Sequence, residues 1–402
     1  MRELVYLVSA AGVPNFGDEA IAAGWLRFLA GARPEAEVLL DCPNPGLARD
    51  LFRNLHPHLL VTDTLWQACR DSQRRDPAGV WDQVETLVLA GGRPGSSAAP
   101  ERLAGATSIH LLGGGYVNAV WPRRVGLVAG MAAARQISGA RLYGTGLGLL
   151  PACDNVPRLA QAFRTFDHVS CRDLPSAQTF GLPEGLDDLF LGIGTDLPPF
   201  RPASDRAWDV MVCFQKDLTG PATFSRAVHL LGTRLRECLD DGKSVGYVEA
   251  LPGADRQMFE ALDGLIPEAG LVPFQDLWAA GLPVRAGQEW YTSRFHLHLA
   301  AAAAGAAGTA IGVVPGYYDI KHRSLQDLGT GWQYTKPEGL DSLPEPAASG
   351  SFPDRCREYA AAKQAEAGCL YPAPPTGRYA GDAGGQTATD PAAAQGVVPK
   401  PA

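Results

Sequence analysis

Short apolar runs recur along this chain, each closing on a glycine-rich or polar loop and followed by a stretch of helical spacing. The first is Leu4–Ser9. It leads into Ala10–Asp18 (AAGVPNFGD) and then Glu19–Ala30, where Ile21, Trp25, Phe28 and Leu29 fall on one helical stripe. A run that is apolar at every position suits a strand covered on both faces. That is the situation in a parallel sheet whose crossover helices pack on either side.

The same spacing predicts strands at Glu37–Asp41, Leu59–Thr62, Thr86–Ala90, Ser108–Leu112, Arg141–Tyr143 and His168–Cys171, with helix across residues 63–85. After a polar, proline-containing link at 201–206 the pattern restarts. Strands are expected at Asp209–Phe214, Ser244–Glu249 and Leu271–Pro273, and helices at Phe224–Asp240, Asp255–Leu265 and Gln275–Ala280. The stretch Trp290–His322 supplies the last helix and strand. A further helix covers Pro353–Gly368, and the residues from Pro372 onward are too poor in large apolar side chains to order. The expected fold is α/β. Two Rossmann-like domains, 1–200 and 201–345, present parallel sheets to a central cleft, followed by a C-terminal helix (346–371) and a disordered tail (372–402). A chain of 402 residues has the length for two cores at about 100–200 residues per domain.

A net charge of −8 offers no basic footprint for nucleic acid and no general attraction to a membrane, although a local patch leaves a peripheral membrane contact open. The eight cysteines contain no C-x-x-C pair, so no metal site is expected; Cys171 and Cys213 lie in apolar runs and read as buried thiols. No signal peptide is visible, and the apolar run Leu299–Ala307 is too short to span a bilayer, so the expected location is cytoplasmic. Nothing in the sequence fixes an oligomeric state.

Candidate chemistry gathers where strands end. Gly113-Gly114-Gly115 and Gly144-Thr145-Gly146 allow close backbone approach to a ligand, or equally make tight turns; neither completes a dinucleotide or P-loop fingerprint. Asn15 and Asp18 stand where a helix cap would. Arg172 ends a strand and offers a fork to a carboxylate or phosphate, or an ion pair to Asp173. Trp290–His322 carries Ser293-Arg294-Phe295-His296 at one end and Tyr317–His322 at the other. Lys321 and His322 read alone as solvated, and Asp187-Asp188 and Asp240-Asp241 read as solvated turns.

Together these pieces resemble the polysaccharide pyruvyl transferase family. The resemblance rests on Asn15-Phe16-Gly17-Asp18-Glu19-Ala20, Leu111–Gly115, Gly144-Thr145-Gly146, Val169–Asp173, Asp196 in Gly194–Pro198, Ser293–His296 and Tyr318–Lys321, in order over residues 5 to 330. Phe295 stands where the family often has Leu, and Val13-Pro14 lengthen the loop before Asn15. The resemblance implies a GT-B-like fold and metal-independent transfer of a pyruvyl group from phosphoenolpyruvate, the donor substrate, to hydroxyls of a saccharide or lipid-linked glycan, with no cofactor. It implies Arg172 and Arg294 as a clamp on the donor's carboxylate and phosphate, His296 as the acid, and Asp18 at the acceptor hydroxyl. Lys321 would neutralise phosphate, and Asn15, Gly17, Gly113, Gly114, Gly115, Gly144, Thr145, Gly146, Ser293 and Phe295 would line the substrates. Two other readings compete. One is a GT-B glycosyltransferase using a nucleotide sugar, against which no carboxylate follows His296 until Asp319. The other is an inactive sugar- or anion-binding relative.

Overall fold

A computed structural model describes residues 2–74, 76–91, 99–154, 156–197, 200–201 and 208–372. The N-terminal half contains β1 (Leu4–Val8), β2 (Glu37–Asp41), β3 (Leu59–Thr62), β4 (Ser108–Leu111), β5 (Arg141–Leu147) and β6 (His168–Cys171). They form one parallel sheet in the order β3-β2-β1-β4-β5-β6. The second half contains β7 (Val210–Cys213), β8 (Val245–Val248), β9 (Leu271–Val272), β10 (Glu289–Thr292), β11 (Ala307–Ile311) and β12 (Gln333–Thr335). Their order, β12-β11-β10-β7-β8-β9, repeats the first topology, again wholly parallel. Both sheets are therefore Rossmann-like, as the apolar runs predict, and each reverses direction beside its first strand, where ligand crevices form.

The helices are α1 (Phe16–Ala32), α2 (Pro45–Leu51), α3 (Thr64–Asp71), α4 (Pro77–Leu89), α5 (Ala99–Ala104), α6 (Val125–Ser138), α7 (Val156–Phe163), α8 (Leu174–Phe180), α9 (Pro221–Asp240), α10 (Arg256–Ala261), α11 (Phe274–Ala280), α12 (Phe295–Ala303), α13 (Tyr318–Asp327) and α14 (Phe352–Leu370). Strands β1 and β7 are buried at every position, which explains their unbroken apolar sequence.

Two expectations fail. Thr86–Ala90 is not a strand but the end of α4. Asp76 accepts from the Gly79 amide at the helix start, Pro77 occupies the first turn, and Val80, Trp81 and Val84 form the buried stripe. A short apolar run is ambiguous until its spacing is read together with the residues before it. Trp290–His322 is likewise not the end of the second sheet: α13 and β12 follow, and Lys321 and His322 sit inside α13. All but the first residue of the expected link (201–206) and of the expected tail (372–402) lies outside the described residues.

Helix α14 matches the expected C-terminal helix. Its buried positions, Phe352, Cys356, Tyr359, Lys363, Ala367 and Leu370, are three or four residues apart and make one face. That face reaches both halves. The Tyr359 hydroxyl donates to Leu328 O at 3.1 Å, while Tyr371, just past the helix, meets His110 at 3.2 Å. Lys363, fully buried, pairs with Asp188 and Glu366, each at 2.6 Å, and donates to Leu186 O at 2.9 Å. Asp188 in turn accepts from the Trp25 indole, the Gly113 amide and the Thr145 hydroxyl. Asp187-Asp188 is thus not the solvated turn its polarity suggests; both residues are buried.

Removing the cation of this network strands buried carboxylates, at a cost of roughly 3–5 kcal/mol. Lys363→Met should therefore lower the urea midpoint markedly, and an unchanged midpoint would show that the network contributes nothing to stability.

Candidate active site

A cavity of about 710 Å³ opens between the two sheets. Its walls come from residues that follow β1, β4, β6, β7, β8 and β10, the ends at which parallel strands deliver their loops. The halves also meet here directly: the Phe16 amide donates to Ala250 O at 3.0 Å and the Tyr317 hydroxyl to Gly115 O at 2.8 Å. The first turns of α1, α12 and α13 all contribute to the wall, so three positive helix ends favour an anion within it.

Arg172 follows β6 and is held by its amide on Leu147 O. Its Nη1 donates to Asp187 Oδ2 at 2.8 Å, and its guanidinium lies 4.4 Å from the Phe295 ring centroid. The partner is Asp187, not Asp173, which instead caps α8 through the Ser176 amide. Two glycines make the room. A Cβ on Gly115 would stand 2.9 Å from Arg172 Nη2, and one on Gly148 would stand 2.8 Å from its Nε.

His296 enters from the other half, on the first turn of α12. Its Nε2 lies 3.4 Å from the same Asp187 oxygen. Gly17 faces it so closely that a Cβ there would fall 1.7 Å from His296 Nδ1, so only a glycine fits. Burial works against a charge on Asp187, but His296 and Arg172 outweigh it and hold the carboxyl well below its usual range. One buried carboxylate thereby orients a guanidinium from one half and an imidazole from the other.

Lys321 Nζ lies 3.6 Å from the Tyr317 ring centroid and 4.9 Å from that of Tyr318. A Cβ on Gly115 would be 3.1 Å from the same nitrogen, which places Lys321 beside Arg172. Burial first, and then the charge of Arg172, push its amine well below the ordinary lysine value. It is not the solvated loop lysine its neighbours suggest, and neither is His322, which is buried against His298.

Arg294 lines the cavity but is not a free fork. Its Nε and Nη2 bond Asp255, and Nη2 also bonds Asp217 at 2.6 Å. Against burial, these carboxylates hold it in its charged form. Asn15 and Asp18 also lie on the wall. Asn15 makes no side-chain cap to α1; it donates to Asp18 at 2.7 Å. Phe295 and Gly115 complete the sequence-predicted residues that reach the cavity.

Gly113, Gly114, Gly144, Thr145, Gly146 and Ser293 do not line it. Thr145 and the Gly113 amide are taken up by Asp188, a Cβ on Gly146 would lie 2.7 Å from Asp188, and the Ser293 hydroxyl accepts from the Gln215 amide. These residues brace the strand ends behind the wall. The sequence reading misses Asp187, Asp217 and Asp255, whose role exists only once distant segments meet. The one local hint at Asp187 is the apolar Leu189-Phe190-Leu191 that follows.

Among the described residues no group of three or more His, Cys, Asp or Glu side chains is placed to hold a metal ion, and no helix is long and apolar enough to cross a membrane. The model of the polysaccharide pyruvyl transferase family matches residues 15–192, a span that includes Asn15, Gly17, Asp18, Arg172 and Asp187. No curated protein matches the chain. Among solved structures, it is similar to S. aureus MnaA in complex with UDP (10% identity, 92% of each chain, TM-score 0.48). It is also similar to MurG of Acinetobacter baumannii (11% identity, 91% of this chain and 95% of that one, TM-score 0.45). The calicheamicin glycosyltransferase CalG4 is a third (14% identity, 92% and 95%, TM-score 0.45).

Glu19, next to Asp18, is buried and accepts from the Gly12 amide at 2.8 Å; burial pushes its carboxyl from the ordinary 4.5 up to about 8. Between these values the folded chain keeps a proton that the unfolded chain has released, so stability should fall as pH rises through the window. Glu19→Gln should remove that fall. Urea unfolding across the window tests this, and parallel pH profiles for the two proteins would reject it.

Proposed function

We propose that the protein transfers a pyruvyl group from phosphoenolpyruvate to hydroxyls of a saccharide, forming a pyruvate ketal. The observation that carries this reading is the joint hold of Asp187 on Arg172 and His296 in a cavity that also presents Lys321. The match of residues 15–192 to the pyruvyl transferase family supports it.

Phosphoenolpyruvate carries a carboxylate and a phosphate a few atoms apart. Arg172 Nη2 and Lys321 Nζ are the donors next to Gly115, and the helix N-termini add to the field there. Arg294, engaged by Asp255 and Asp217, contributes charge at the wall more than a free fork. His296 delivers a proton to the methylene carbon, and C2 becomes electrophilic. A saccharide hydroxyl attacks C2 and gives its proton to Asp18. The C2–O bond to phosphate then breaks, a second hydroxyl closes the ketal, and its proton leaves with phosphate. Asp187 keeps the imidazole aimed. The reading needs no cofactor beyond the donor.

The direct test is phosphate release from phosphoenolpyruvate with a panel of saccharide and lipid-linked acceptors. Release should occur with at least one. His296→Ala should cut turnover by about 10²–10⁴ while leaving donor binding largely intact. Release from no acceptor, together with tight nucleotide-sugar binding, would reject pyruvyl transfer in favour of nucleotide-sugar chemistry.

A second outcome follows from Lys321. A dianion arriving beside an amine held low by burial restores its charge, so donor binding should take up a proton. Calorimetry at mildly alkaline pH in two buffers of different ionisation heat measures this. The uptake should vanish in Lys321→Met; equal heats in both buffers for the native protein would remove Lys321 from the donor site.

A further inference from the structure

The reading above leaves one part of the cavity wall without a role. It is formed by Trp121, Arg123 and Arg124, before α6, and by Trp66 on α3. The Arg124 guanidinium lies 4.3 Å from the Trp121 ring centroid and 5.0 Å from that of Trp66. Among the described residues it makes no hydrogen bond and no ion pair. Two indoles hold the guanidinium by cation–π contact, which leaves its N–H groups without an acceptor.

Its neighbours share this lack. Trp66 is only 5% exposed, and its indole N–H is buried with no acceptor. Arg123 donates through Nη2 to Arg70 O and Ser72 O, but its Nε–H is buried and unpaired. Buried donors normally find acceptors, and a cation taken out of water normally finds a counter-ion. The Trp66 and Arg123 donors are sealed from solvent, so the partly exposed Arg124 guanidinium is the group this corner presents to the cavity.

The placement is fixed. Cβ atoms on Gly126 and Gly130 would stand 2.8 Å from Cys69 Sγ and 2.6 Å from Leu65, so α6 sits tight against α3 and locks Arg124 over Trp66. Asp18, the proposed base, lines the same cavity as Arg124 and Lys321.

We propose that the Arg124 guanidinium receives an oxyanion carried by the acceptor, so that the acceptor is an anionic saccharide rather than a neutral one. The oxyanion is a phosphoryl group or a sugar carboxylate. The proposal rests on the pyruvyl-transfer reading for its meaning, but its binding chemistry can be tested without the donor.

The experiment is calorimetric binding, without phosphoenolpyruvate, of matched galactose, glucose and mannose derivatives: each as the neutral methyl glycoside, the 1-phosphate and the uronic acid. For at least one sugar an anionic form should bind about tenfold or more tighter than the neutral form, as a charge-assisted bond allows. The two anionic arms tell phosphoryl from carboxylate. The preference should shrink with added salt and collapse in Arg124→Gln, with partial retention in Arg124→Lys. If Arg124→Gln does not fold, the salt dependence and Arg124→Lys carry the test. Equal binding of neutral and anionic forms by the native protein overturns the proposal. So does a preference that survives Arg124→Gln, which would place the anion at the Arg172 end. Phosphate release on the same panel separates the two readings: an Arg124-dependent preference without release sinks pyruvyl transfer alone, and release indifferent to charge and to Arg124 sinks this subsite alone.

Discussion

The Asp187 carboxylate is the point on which the site depends. It is almost fully buried, and it keeps its charge only because Arg172 and His296 flank it. Arg172 arrives from the end of β6 and His296 from the start of α12, so one oxygen receives groups that are far apart in the chain and belong to different sheets. A buried carboxylate with a single cation would be a structural ion pair and little more. Shared between a guanidinium and an imidazole, it sets the spacing of two functional groups that come from different halves. The next residue, Asp188, does the mechanical work. Lys363 of α14, Trp25 of α1, Gly113 after β4 and Thr145 within β5 all meet on it, which fixes the segment from which Asp187 projects.

Much of the architecture is legible in the sequence, because a strand buried on both faces leaves an unbroken apolar run. That signal locates β1, β2, β4, β6, β7 and β8 and the parallel character of both sheets. It misleads at Thr86–Ala90, where a helix end carries the same run of apolar side chains. It also hides α13, whose first turn places Tyr318 and Lys321 on the cavity wall and whose buried His322 looks solvated when read singly.

The site is legible to a different depth. Asp18, Arg172, His296 and Lys321 are singled out by the family resemblance more than by their neighbours in the chain, and all four line the cavity. Their partners do not stand out. Nothing beside Asp187 or Asp255 in the chain announces that each will be buried against an arginine. The glycines divide in the same way. Gly17 and Gly115 give room to His296, Arg172 and Lys321 at the cavity, whereas Gly113 and Gly146 serve Asp188 behind it. A glycine-rich loop marks a close approach of some kind; what approaches it is decided elsewhere in the chain.

The fit of His296 over Gly17 has one more consequence. The two residues belong to different halves, and so do His296 and Asp187. Sliding the halves apart by a few ångströms would strip the imidazole of its carboxylate and its berth together, while Arg172 kept its ion pair. On the pyruvyl-transfer reading, an enol ester caught by the N-terminal half alone would then face no proton source. On that reading, assembly of the acid across the interface would guard the donor against loss to water before the second substrate is in place.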